Sequence, residues 1–139
     1  MNTQSHSQQA ILGEADHRQA LESVYAVGHW LLSQERFRDA ATVFRLMMRT
    51  APTDERGWLA LGTCHEKLGQ TDVALELYGG GAVAAEPSVL CHLARFRTLW
   101  DQDRMDEADE AIDAARMLAE EVDDEEWLVR VEAERRARP

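Results

Sequence analysis

Two adjacent pairs, Cys64-His65 and Cys91-His92, carry the residue types that hold zinc. Zinc sites use tighter Cys/His spacing than these pairs offer, and neighbours on a helix point in different directions. The reading is therefore two core cysteines beside incidental histidines, with no metal site and no cofactor. Carboxylates crowd residues 106–126. General acid–base work needs a pocket and a shifted pKa, and a run this dense reads instead as a solvated helix face. No Ser/His/Asp order, nucleophile elbow or phosphate-cradling glycine loop stands in the chain. An enzyme is not expected.

What would position any binding chemistry is a repeat. Ala40, Ala74 and Ala108 recur at one constant interval. Four residues after each stands a large apolar residue, Phe44, Tyr78 and Ile112, and three further on Met47, Gly81 and Ala115. Twelve residues before each alanine lie Gly28, Gly62 and Phe96. The interval and the residue types match the helix–turn–helix pattern of the tetratricopeptide (TPR) repeat. Stacked repeats form a solenoid with a concave binding face. The fold class predicted is all-α, a TPR solenoid of three helix-turn-helix repeats with a C-terminal capping helix.

The 139 residues make one domain, and 45% hydrophobic content supports a packed core. No stretch reaches the roughly 20 apolar residues of a membrane span. Residues 1–9 lack the regions of a signal peptide, so a cytoplasmic protein with reduced cysteines is expected. The net charge is −11, and residues 70–139 hold eighteen Asp and Glu against eight Lys and Arg. That imbalance argues against nucleic acid. It is either a solvated surface or a docking face for a basic partner.

Residues 1–15 read as a loose arm, broken at Gly13. Its apolar patch, Ile11 and Leu12, either mediates a dimer or packs on the first repeat. Three repeats follow within residues 16–122, at about 21–54, 55–88 and 89–122, and a capping helix spans 123–139. Thr53 is placed as an N-cap, Gly69 just past a helix end, and Pro87 in a first helical turn. The run Gly79-Gly80-Gly81 either frays or kinks its helix or marks close helix packing. Trp30, Trp58 and Trp127 read as packing residues.

In a TPR the first helix of each repeat lines the groove. The peptide-binding positions are then Tyr25, His29 and Leu32 in repeat one, Leu59, Thr63 and Glu66 in repeat two, and Leu90, Leu93, Arg97 and Trp100 in repeat three. Trp100 either anchors a ligand or packs. The lysine and asparagine carboxylate clamp of some co-chaperones is missing at these places. A partly apolar groove suits an extended peptide with a few apolar side chains.

From Val24 to Glu120 the chain resembles the class II chaperones of bacterial type III secretion, the SycD/LcrH-like family. The stretches VYAVGHWLLSQERFRDAATVFRLM, LALGTCHEKLGQTDVALELYGGGA and CHLARFRTLWDQDRMDEADEAIDAA carry the likeness. Within them Leu61-Gly62-x-Cys64, Gly81-Ala82 and His92 are particularly similar. The resemblance implies a cytoplasmic protein that binds a short segment, of PxLxxP type, of hydrophobic translocators in its groove and keeps them soluble for export. It also implies a homodimer formed through the N-terminal region. The alternative is a general TPR adaptor whose acidic half docks a partner.

Overall fold

The structure is a computed structural model that describes residues 3–139, with side chains from residue 5. Seven helices follow one another among the described residues: α1 (Thr3–Ser33), α2 (Phe37–Thr50), α3 (Glu55–Lys67), α4 (Thr71–Ala84), α5 (Val89–Asp101), α6 (Met105–Glu121) and α7 (Glu125–Arg136). None is long and apolar enough to cross a membrane. Each helix packs against the next, and α3 with α5 and α5 with α7 also touch across the stack.

The repeat seen in the sequence is the packing unit. Ala40, Ala74 and Ala108 are fully buried, and so are Phe44 and Ile112. A Cβ on Gly28 would lie 2.5 Å from the Phe44 ring, and one on Gly62 would overlap the ring of Tyr78. Glycine on the first helix therefore makes room for a ring on the second. In repeat three the arrangement is exchanged: Phe96 supplies the ring on the first helix and Ile112 the aliphatic group on the second, both buried.

The turns repeat as well. Glu35, Gly69 and Asp103 occupy the same place in successive repeats, and all take positive φ, near 58°, 76° and 57°. At each, the turn residue's N–H reaches a carbonyl three residues back and the next N–H reaches one five residues back: Glu35 to Leu32 and Arg36 to Leu31, Gly69 to Glu66 and Gln70 to His65, Asp103 to Trp100 and Arg104 to Leu99. This is the Schellman closure, and two of its three members tolerate a left-handed backbone without glycine. Gly69 stands where the sequence places it.

Other expectations need correction. Helix α1 runs through Gly13, where a break and a loose arm over residues 1–15 are expected. One glycine penalises a helix by only about 1 kcal/mol, and Gln, Ala, Ile, Leu and Glu around it favour the helix. Residues 1–2 of that arm lie outside the described residues. The cap of α3 is Asp54, whose carboxylate accepts from Arg56 N at 3.1 Å, rather than Thr53. Pro87 precedes the cap of α5, Ser88, which accepts from Cys91 N at 3.2 Å. Trp30, expected to pack, is 57% exposed, because its side of α1 has no neighbouring helix among the described residues. Gly79-Gly80-Gly81 neither ends nor breaks α4. It is a close approach: a Cβ on Gly80 would lie 2.7 Å from the Trp58 ring, and one on Gly81 2.7 Å from Trp58 Cβ and 2.8 Å from Cys91 Sγ.

Candidate functional site: the groove between α3, α5 and α7

Helices α3, α5 and α7 enclose a cavity of about 360 Å³. It gathers five of the expected groove residues, Leu59, Thr63, Glu66, Leu90 and Arg97, all half-buried. Leu59 and Leu90 present apolar surface while still resting on the fold. The floor is polar and internally satisfied. Tyr78 Oη donates to Glu66 Oε2 at 2.9 Å, and Thr98 Oγ1 donates to Glu66 Oε1 at 2.5 Å. Burial, reinforced by the Glu66 charge, pushes the Tyr78 phenol well above its ordinary value, so it stays a donor.

The far wall is basic. Arg97 bonds Glu134 of α7 at 2.7 Å, and Arg138 bonds the other oxygen of Glu134 at 3.0 Å. Burial alone would raise the Glu134 carboxyl. The hydrogen bond from Arg97 and the charges of Arg97, Arg138 and Arg130 outweigh it and hold the group below its ordinary value.

The expected groove residues of repeat one form a separate cluster. Tyr25 and His29 meet edge to face with centroids 4.5 Å apart, and both rings approach Phe44. Arg56 lies over the Tyr25 ring at 4.6 Å and bonds Glu22 at 2.7 Å and Asp54 at 2.8 Å, tying α1 to α3. The hydrogen bond from Arg56 lowers the carboxyls of both Glu22 and Asp54. Leu32 packs on the core of repeats one and two.

Two expected positions fall elsewhere. Leu93 is 0% exposed, inside the core of repeat three with Val89, Phe96, Ala111 and Ala115. Val131 of α7 closes that cluster, so the fifth place of repeat three is sealed from the groove. Trp100 packs beside Phe96, centroids 5.9 Å apart, and lines a second cavity of about 400 Å³ with Met105, Ile112, Arg135 and Arg138. Sequence reasoning missed Arg130 and Arg138. A signal for Arg130 existed, since it lies one full repeat after Phe96 and α7 is the first helix of a fourth, half-complete unit.

Ile11 and Leu12 are 61% and 65% exposed and do not pack on repeat one. The two cysteines are buried, and burial pushes both thiols up to about 11. His65 bonds Gln70 at 2.6 Å. Among the described residues no three His, Cys, Asp or Glu side chains converge as a metal site.

A stack of helical hairpins repeating at a constant sequence interval beside an open cavity, capped by an extra helix, defines a TPR-like all-α module. No protein-family model matches the chain. Known proteins do. Low calcium response locus protein H of Yersinia pestis is 28% identical over 114 residues, which are 80% of this chain and 67% of that one. The type III secretion translocator chaperone SycD of Yersinia enterocolitica superposes with a TM-score of 0.72 at 26% identity, covering 89% of this chain and 92% of that one. PcrH of Pseudomonas aeruginosa, in complex with the chaperone-binding region of PopD, superposes with a TM-score of 0.68 at 26% identity, covering 84% and 88%. The chain is thus similar to the type III secretion translocator chaperones SycD and PcrH and to low calcium response locus protein H. The relatives named are chaperones and not enzymes.

Proposed function

We propose that this protein holds a short extended segment of a hydrophobic secreted translocator in the cavity between α3 and α5, keeping its client soluble in the bacterial cytoplasm until export. The observation that carries the reading is a partly apolar cavity whose leucines, Leu59 and Leu90, stand at its wall and not in the core. PcrH, solved with the chaperone-binding region of PopD, supports the same use of the fold here. An apolar side chain seated on those leucines buries surface at about 25 cal/mol per Å². The polar groups at the floor and wall orient the client backbone and flanking side chains. Tyr25 and His29 form a separate aromatic cluster on repeat one that a longer client segment would reach. The exposed pair Ile11 and Leu12 supports a homodimer through α1.

The test is purification of the tagged protein from its own bacterium under secretion-inducing conditions, with mass spectrometry of what accompanies it. One or two secreted proteins with long apolar segments are expected. Recovery of soluble regulatory proteins alone would favour an adaptor.

A further inference from the structure

In a chain of net charge −11, one wall of the groove is positive. Arg97, Arg130 and Arg138 all line the cavity, and all three act on a single carboxylate, Glu134. Glu134 is shared between Arg97 at 2.7 Å and Arg138 at 3.0 Å. Arg130 lies over the Trp127 ring at 5.4 Å and forms no ion pair among the described residues. The two carboxylates that line the cavity pair with none of these arginines: Glu66 keeps its charge but accepts from Tyr78 and Thr98, and Asp101 is exposed at the rim.

We propose that the three arginines form an acid-selecting subsite: a client segment whose apolar side chain rests on Leu59 and Leu90 places a flanking Asp or Glu carboxylate on Arg130 and Arg138, beside Glu134. The inference rests on the groove reading above and names the chemistry of the segment held there. Glu134 already displays the interaction, a carboxylate gripped from two sides by guanidiniums. Arginine suits this role because its planar fork pairs with a carboxylate through two parallel hydrogen bonds. A negatively charged protein repels acidic segments at long range, so local arginines are what would admit one.

The experiment uses the full chain and an array of twelve-residue peptides. Each peptide has one central leucine, and a single glutamate is walked from three residues before it to three after. Glutamine and lysine versions, and a leucine peptide without charge, are the references. In at least one register glutamate is expected to bind about tenfold tighter than glutamine, a difference of about 1.4 kcal/mol, and the advantage shrinks as salt rises. Arg130→Glu removes or reverses that preference, weakening the glutamate peptide far more than the uncharged leucine peptide. Arg130→Ala, a gentler change at the same exposed position, gives an intermediate ratio. Equal binding of glutamate and glutamine peptides in every register overturns the acid-selecting subsite alone. Failure of every leucine peptide, charged or not, overturns the groove reading and this inference with it.

Discussion

The two ends of the helical stack are finished differently. At the C-terminal end α7 lies over α5 and α6. Val131 is 1% exposed, Trp127 and Leu128 pack on the same cluster, and Glu134 is clamped by Arg97 and Arg138. At the N-terminal end α1 projects, with residues 5–20 exposed along its length and Leu12, Val27 and Trp30 facing away from the core. A repeat array must cover both terminal faces. This chain covers one with its own sequence, and in doing so brings Arg130 of α7 and Arg138 just beyond it to the groove. The other stays exposed among the described residues, which supports the proposed homodimer through α1.

The same charge placed at each end should have opposite consequences. Val131→Asp buries an unpaired carboxylate in the core of repeat three and should destabilise the fold by about 3 kcal/mol or more, read by urea unfolding. Leu12→Asp should leave the monomer's unfolding within about 0.5 kcal/mol of wild type while lowering the dimer fraction in sedimentation. A Leu12→Asp protein that unfolds as readily as Val131→Asp would show that the N-terminal face is part of the core.

The glycine run gives a second contrast within one helix. Gly81→Ala pushes a methyl group onto Trp58 Cβ and Cys91 Sγ and should destabilise by about 1–3 kcal/mol. Gly79→Ala meets only the Arg95 side chain, at 3.9 Å, and should stabilise by up to about 1 kcal/mol through helix propensity. Thermal melts of the two variants should move in opposite directions.

Acid should loosen the C-terminal cap through Glu134, modestly because the group is partly solvated. Its carboxyl is held below its ordinary value in the fold. Its contribution is therefore complete above the unfolded value of about 4.3 and fades as pH falls through the folded one. The stability gap between wild type and Glu134→Gln should be constant near neutrality and close below about pH 4.

Much of the fold is legible because the same packing problem recurs once in every repeat. Gly28 under Phe44 and Gly62 under Tyr78 are written directly in the spacing. The turns are only partly legible. Gly69 announces a left-handed residue and Asp103 only weakly permits one, whereas Glu35 adopts the same conformation with nothing in its side chain to mark it. Half of the expected groove is gathered in one cavity, because repeat places set which side of a helix a residue occupies. Leu93 fails for a tertiary reason. Its place faces the groove only while no further helix covers α5, and α7 seals it. Arg130 and Arg138 are hidden similarly, since residues 123–139 read as a capping helix and not as a wall of the site. The burial of Leu93 also decides the choice of variants, because Leu93→Glu would unfold repeat three instead of reporting on binding.

The central claim is that the cavity of Leu59 and Leu90 holds the client. The direct measurement is binding of the segment recovered with the protein to wild type and to the double variant Leu59→Glu, Leu90→Glu, with circular dichroism of both. The account predicts that binding is lost while helical content and melting remain near wild type. Equal binding by the two proteins would contradict it and move the client to another face.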